Sequence, residues 1–419
     1  MTTLVSTASD SLISTSGIGA RFKPFDHHGM YAFFERARAE EPVFFCPEIN
    51  YWVVTTREDV LCLLRDAISF SADIALAPVT PLAPEALAIL KAGMGAEPTQ
   101  VNCDPPKHDR IRRVAGRFLN ARRFLTLEPD IRRLAREAIG ALEGRAEVDL
   151  VADLVYEFPA RVLFLLMGIP ADDALQIKRW ASHRVLITFG DISPEEQRRG
   201  AKDMVAYWRY CVAMVNDRLR RPQSDYASFL IAHRGEVEPE LSDNEITSLV
   251  FGLLLAGHES TTNLAANALL ALLSHRPSWQ AICNDTSLIP GAVEEALRFT
   301  SSIVYWRRRT RAATVLQGVT VPANANVLLA LGAANHDAEL FPEPDRFDIG
   351  RPNASEHVSF GRGTHSCIGA PLARLELVVL LEEIVRRYPA LALVDKQPID
   401  YIRSIAFRGP KRLMARLGN

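Results

Sequence analysis

The stretch from Ser242 to His275 limits what this chain can fold into more than any other part of it. It is apolar on nearly every helical face, and a helix of that kind has to be buried. Ser242 and Glu245 have the Ser-Asp-Asn-Glu spacing of a capping box, which starts a helix. Arg276–Pro277 ends it. Such a helix is about 50 Å long, enough to cross a whole domain. A membrane span is disfavoured, because His258, Glu259 and Asn263 fall in the middle of Ile246–Leu273 and an acid at mid-membrane is costly. Hydrophobic residues make up 48 % of the 419 and charged residues 23 %, as in globular proteins. A net charge of −2 leaves no global field to attract nucleic acid.

Around this helix the chain reads as mainly α with small β-sheets. Pro42–Phe45 and Tyr51–Thr55 read as strands joined by a turn through Pro47–Asn50. Residues 71–103 are irregular and proline-bearing, a loop over a cavity. Pro105 to Arg234 is helical, with breaks at Gly168–Pro170 and Gly190–Pro194. A helix over Pro290–Phe299 precedes short β segments at Thr314–Leu316, Val319–Val321 and Val327–Ala330. A meander over Phe341–Pro352 then leads to a last helix, Ile368–Tyr388. There are no repeats and no low-complexity linker, so residues 21–419 are expected to form one domain behind a disordered Ser/Thr-rich arm over 1–20. No charged start followed by an apolar run is present, so neither signal peptide nor anchor is expected. The expected setting is a cytoplasmic monomer with reduced thiols.

Of the six cysteines, none shows the spacing of a zinc site. Five read as small buried hydrophobes. Cys367 stands apart, in Phe360-Gly-Arg-Gly-Thr-His-Ser-Cys367-Ile-Gly369. Its glycines allow a tight turn and close approach to a flat ligand, and a helix N-terminus just after it favours a thiolate. Three further segments carry chemistry. Ala256-Gly257-His258-Glu259-Ser260-Thr261 interrupts the long helix, where a hydroxyl at 260 or 261 can bond back to a carbonyl and bend it. Glu295-Ala-Leu-Arg298 sets an acid and an arginine on one helix face. Asp104-Pro-Pro-Lys-His108-Asp-Arg-Ile-Arg112 sets His108 and Arg112 on another.

In these four segments, which follow one another along the chain in the family's order, the chain resembles the cytochrome P-450 family. Its patterns are F-G-x-G-x-H-x-C-x-G, A-G-x-[DE]-T-[ST], E-x-x-R and D-P-P-x-H-x-x-x-R. The resemblance implies that fold, with a long distal helix over the haem and the cysteine loop beneath it. It implies haem b as cofactor, with Cys367 as iron ligand and Phe360, Gly369 and Ala256 against the ring. His108, Arg112, Arg308 and His365 would meet the propionates, and Glu295–Arg298 would be a buried pair completed by Arg351 or Arg346. One departure is Ser260 where the family has threonine, with Thr261 next to it; either hydroxyl could act with Glu259 in proton delivery.

The implied activity is a monooxygenase using O2 as co-substrate and two external electrons to hydroxylate or O-dealkylate a small hydrophobic or aromatic molecule. By family position Leu76, Leu82, Val185, Phe189, Leu255, Ile303, Val304 and Ile405 would line the pocket. Stretches such as Val304-Tyr-Trp-Arg-Arg308 and Phe407-Arg-Gly-Pro410 resemble haem domains of self-sufficient bacterial members. With the sequence ending at Asn419, the expected partners are a separate ferredoxin and ferredoxin reductase. Arg110, Arg113, Arg117, Arg122 and Arg123 would form the docking patch. A peroxide-driven peroxygenase is the alternative, but an arginine–proline pair replaces the acid–alcohol pair there, and Glu259–Ser260 stands against it. A haem sensor or electron carrier would favour a compact exposed haem over the cavity expected under residues 71–103.

Overall fold

A computed structural model describes residues 17–418. Of the arm expected over 1–20, residues 1–16 lie outside the described residues. Ile18–Arg21, however, form a helical turn with Ile18 buried. The turn is held by the Ile18 amide donating to Glu41 Oε2 at 2.8 Å.

Helix α1 (Met30–Glu40) leads into strands β1 (Val43–Cys46) and β2 (Tyr51–Val54), paired antiparallel with Val43 opposite Val54. Helix α2 (Arg57–Arg65), capped by the Thr56 side chain, and strand β3 (Phe70–Ser71) follow. The 71–103 segment is not wholly irregular. Pro84–Gly93 forms helix α3, because its proline sits in the first turn, where a missing amide costs nothing, and Glu-Ala-Leu-Ala-Ile-Leu-Lys are good helix formers.

Helices α4 (Lys107–Phe118), α5 (Phe158–Met167), α6 (Ala174–Phe189) and α7 (Pro194–Arg220) lie in the expected helical region, which a short strand at Glu147–Asp149, paired with Met414–Arg416, interrupts. Helix α5 ends on Gly168 in the left-handed region, at φ 62°, a conformation glycine adopts without strain. The start of α7 is fixed by a complete capping box between Ser193 and Glu196.

The central helix is buried as expected but is not continuous. It divides into α8 (Asp243–Ala256) and α9 (Glu259–Ser274). At the junction the Ser260 hydroxyl donates to the Ala256 carbonyl at 3.1 Å, and Asn263 Nδ2 donates to the Glu259 carbonyl at 2.8 Å. Side chains thus occupy the carbonyls and bend the axis. A side chain on Gly257 would come within 2.7 Å of Leu163 on α5, so only glycine lets the bend sit that close.

Helix α10 (Ile289–Phe299) is followed by strand β4 (Trp306–Thr310), which the arginine-rich composition of Trp-Arg-Arg-Arg-Thr hides, and by β5 (Asn326–Leu329). The main sheet runs β1-β2-β5-β4-β3, with β2 and β5 parallel and the other pairs antiparallel. Helix α11 (Ala370–Arg387) closes the core. Among the described residues, no helix is long and apolar enough to cross a membrane.

Candidate active site

The cysteine loop is shaped by two left-handed glycines, Gly361 at φ 66° and Gly363 at φ 74°. The Cys367 amide donates to the Phe360 carbonyl at 2.9 Å, and Ser366 to Gly363 at 3.0 Å. Across the loop, Arg112 Nη2 on α4 donates to the Ser366 carbonyl at 2.8 Å. Burial pushes the Cys367 thiol up, while the amides of Gly369 and Ala370 and the Arg112 guanidinium draw it down. Cys367 is exposed, and so is Ala256 at the end of the otherwise buried α8. Ala256 is the exposed position of an otherwise buried helix, and burial is what raises the Cys367 thiol, so both face a cleft rather than open solvent.

The two glycines do not carry equal weight. A Cβ on Gly363 would lie 2.8 Å from the Leu64 carbonyl, while the nearest atom to one on Gly361 is 3.9 Å away. Gly361→Ala should cost the left-handed penalty alone, about 1–2 kcal/mol. Gly363→Ala adds a backbone collision with α2 and should lower Tm clearly more. Thermal unfolding of the two variants side by side checks this, and equal Tm values would show that the loop stands off α2.

Above the loop, three nitrogens converge without protein partners. His108 and His365 have ring centroids 4.5 Å apart in an edge-to-face arrangement. His108 Nδ1 lies 2.8 Å from Asp109 and His365 Nδ1 lies 3.0 Å from the Gln100 carbonyl. The far nitrogens, His108 Nε2 and His365 Nε2, are buried and unbonded, as is Arg308 Nε. Burial, then Arg308 and His108, lower His365 to about 4, and burial lowers Arg308 to about 10. Buried polar atoms of this kind are normally satisfied. A ligand bearing carboxylates fits this cluster, and a metal taking one protein ligand fits Cys367. Among the described residues, no group of three His, Cys, Asp or Glu could hold a metal, so a metal at Cys367 draws its other ligands from elsewhere.

Glu295 and Arg298 form the expected buried pair, with Arg298 Nε 2.7 Å from Oε2 and Nη2 2.8 Å from Oε1. Arg351 completes it, Nε to Glu295 Oε1 at 3.3 Å. Arg346 contributes only its carbonyl, to Arg298 and Arg351, and turns its own guanidinium outward to Glu343.

At the helix break Glu259 is buried. Its Oε1 lies 3.2 Å from Lys178 Nζ, 3.0 Å from Ser182 Oγ and 3.4 Å from His258 Nε2. Burial alone would raise this carboxyl, but Lys178 and then His258 hold it at about 2. Lys178 is the residue of this site that the sequence reading missed. Its signal was a lone lysine on the Lys178-Ala181-Ser182-Val185-Phe189 face of α6, a face otherwise without charge. Ser260 engages the Ala256 carbonyl, and Thr261 is buried beside it.

The expected pocket residues come together only in part. Ile303 bridges Phe407, and the Ile405 amide donates to the Phe189 carbonyl at 2.7 Å. The Val79 amide donates to the Thr188 carbonyl, drawing the Leu76–Leu82 segment to the end of α6. Leu76, Leu82 and Ile303 are partly exposed, whereas Phe189, Val304 and Ile405 are fully buried. Val185 and Leu255 are buried on α6 and α8. Phe407, 5.4 Å from the Phe189 ring, joins this wall.

One cysteine at a cleft, a cluster of buried nitrogens without partners and a broken central helix are the parts of a haem-thiolate protein. The comparisons agree. The Cytochrome P450 family model matches residues 183–414. Cytochrome P450 107B1 of Saccharopolyspora erythraea is 34 % identical over 400 residues, 94 % of this chain and 95 % of the relative. A structure of cytochrome P450 CREJ in complex with (4-ethylphenyl) dihydrogen phosphate is 37 % identical with a TM-score of 0.92, covering 96 % of this chain and 100 % of that one. An intact type IV self-sufficient cytochrome P450 monooxygenase is 38 % identical with a TM-score of 0.91; 96 % of this chain matches 53 % of that protein. This chain belongs to the cytochrome P450 family and is a P450 monooxygenase.

Proposed function

We propose that the chain binds haem b through Cys367, takes O2 as co-substrate, and hydroxylates or O-dealkylates a small hydrophobic or aromatic molecule. Electrons come from a ferredoxin and its reductase. Haem held by a thiolate supplies the oxidising chemistry, with the electron donation known for this family's ligand. His108, Arg308 and His365 hold its carboxylates, while Arg112 ties α4 to the cysteine loop.

The observation that carries the reading is the acid–hydroxyl pair at the helix break. Glu259 stays ionised because Lys178 offsets its burial, and Ser260 keeps a hydroxyl on the Ala256 carbonyl at the cleft. Glu259 can pass protons inward when Lys178 releases it, and Ser260 or Thr261 can relay them. A peroxide-driven enzyme needs no such donor. The apolar walls at Leu76, Leu82, Val185, Leu255 and Ile303 support an apolar or aromatic substrate.

The docking patch narrows. Arg110 is committed to Glu245 and Arg117 to Glu236, while Arg123 lies over the Phe118 ring at 3.6 Å. Among the described residues, Arg113 and Arg122 make no ion pair, and these two are proposed to meet an acidic partner.

The test is product formation with NADPH, ferredoxin and reductase in the wild type and in Glu259→Gln. Glutamine keeps the size but removes the carboxylate that takes up the proton and passes it on. Oxygenation should fall roughly 10²-fold, the usual weight of a positioned acid, while substrate still perturbs the haem absorbance. Undiminished turnover in Glu259→Gln would remove the relay. Product formed from peroxide as fast as from the electron-transfer chain would favour the peroxygenase.

A further inference from the structure

Two guanidinium groups border the proposed pocket with no carboxylate to meet them. Arg184 follows Ser182 and His183 on α6 and precedes the pocket residue Val185. It is buried, its Nη1 donates to the Phe251 carbonyl at 2.7 Å, and the guanidinium lies 3.8 Å from the Phe251 ring centroid. Phe251 sits one helical turn before Leu255 on α8, so Arg184 packs on the α8 face that carries this pocket residue. Its Nε and Nη2 make no hydrogen bond to any described residue. Arg307, on β4, is also buried. It donates to the Ala77 carbonyl at 2.6 Å and the Ala75 carbonyl at 2.7 Å, on either side of Leu76, and lies 4.9 Å from the Phe189 ring. Its Nε has no partner. Among the described residues neither arginine makes an ion pair, and the carboxylate of Glu259 is already engaged by Lys178.

A buried cation without a counter-charge is expensive, and an apolar side chain of similar volume would fill the same space at less cost. Burial lowers the Arg184 guanidinium only to about 10, so it stays charged at neutral pH. Two free N–H groups on one planar fork match the two oxygens of an oxyanion.

We infer that the substrate carries an oxyanion, a carboxylate or a phosphate, at one end of its apolar body, and that Arg184 receives it through Nε and Nη2. Arg307 pins the 75–77 segment over the pocket and adds positive potential without giving up its carbonyl bonds. This rests on the monooxygenase reading and names the substrate class for that site. The substrate's far, uncharged end is then the part presented to the haem.

The test compares three ligands of one shape, 4-ethylphenol, 4-ethylbenzoate and 4-ethylphenyl phosphate, on the haem-loaded full chain. Each Kd is read from the haem absorbance change, or by equilibrium dialysis where a ligand gives none. At least one anion should bind about tenfold or more tighter than the phenol, the weight of one charge-assisted hydrogen bond; the benzoate and phosphate arms show which oxyanion fits. In Arg184→Met the ratio of phenol to anion Kd should collapse towards one, and in Arg184→Lys, which keeps charge but not the fork, it should fall part-way. The preference should survive added salt, because a buried pair is little screened. A wild type that binds the phenol as tightly as both anions overturns the inference. So does an unchanged ratio in Arg184→Met, or a preference lost on adding salt, which would place the anion at the surface. Should Arg184→Met fail to retain haem, the wild-type ratio and Arg184→Lys decide. These titrations need neither electrons nor O2, so they can fail while turnover of a neutral substrate succeeds, and the reverse.

Discussion

Cys367→Ala is expected to abolish oxygenation outright, together with the red-shifted reduced-CO band from which the family takes its name. The loop offers no substitute ligand. Among the described residues the other cysteines are Cys46, Cys62, Cys103, Cys211 and Cys283, and none lies in the 360–369 turn. His365 turns its Nδ1 to the Gln100 carbonyl and packs its ring against His108, so it is not placed to serve in its stead. Cys367→His should still hold iron, since imidazole is a good ligand. It should lack the red shift, because a neutral nitrogen donates less electron density than a thiolate. Reduced-CO difference spectra on the three proteins make the comparison. A retained red-shifted band in the alanine variant would mean that another sulfur binds the iron.

The second large effect is expected from Glu295→Ala and Arg298→Ala. Both side chains are fully buried, and Arg298 also donates to the carbonyls of Asn335, Pro344 and Arg346. The carboxylate in turn accepts from the Asp348 amide at 2.9 Å. Removing either partner strands a charge in the core, at about 3–5 kcal/mol, against a total stability of about 5–15 kcal/mol for a domain. Little folded, haem-bearing protein should be recovered. Arg351→Ala removes one longer contact to Glu295, along with carbonyl bonds nearer the surface, and should be milder. Haem content per mole of purified protein, with denaturant midpoints, ranks the three. Equal losses at Arg351 and Arg298 would show that the three residues act as one unit.

The parts of this molecule that a sequence exposes are those set by local rules. Ser242 and Glu245 announce the start of α8 because a capping box is built within four residues, and Gly168 announces the end of α5 in the same way. The cysteine loop was legible because its glycines, its cysteine and the following helix are contiguous. What was hidden depends on pairings across the chain. The Trp306–Thr310 strand carries three consecutive arginines, of which Arg307 is buried on the 75–77 segment, Arg308 is buried beside His365, and Arg309 pairs with Asp73. The break at Gly257–His258 was anticipated as a bend, but the closeness of Leu163, which leaves no room for a side chain at Gly257, is a relation between helices. Lys178 stands out only weakly in the sequence, because its partners Glu259 and Thr262 come from α9. The choice of Arg351 over Arg346 likewise turns on which way the meander faces, and no spacing rule contains that.

The parallel pairing of β2 with β5 has a consequence for how the chain comes to be folded. Trp52, Val53 and Val54 find their partners in Val327, Leu328 and Leu329, so the first hairpin waits for strands encoded far downstream. Contacts this distant in sequence slow folding, since a long loop must close before they reward it. Until β5 has left the ribosome, the β2 edge carries unpaired amides and carbonyls beside apolar side chains, the arrangement that invites another chain to add a strand. Translation speed and chaperone supply between the first hairpin and β5 should therefore govern the yield of this protein more than they would for one whose sheet is built from neighbours. Chains cut short before Asn326 should aggregate through that edge.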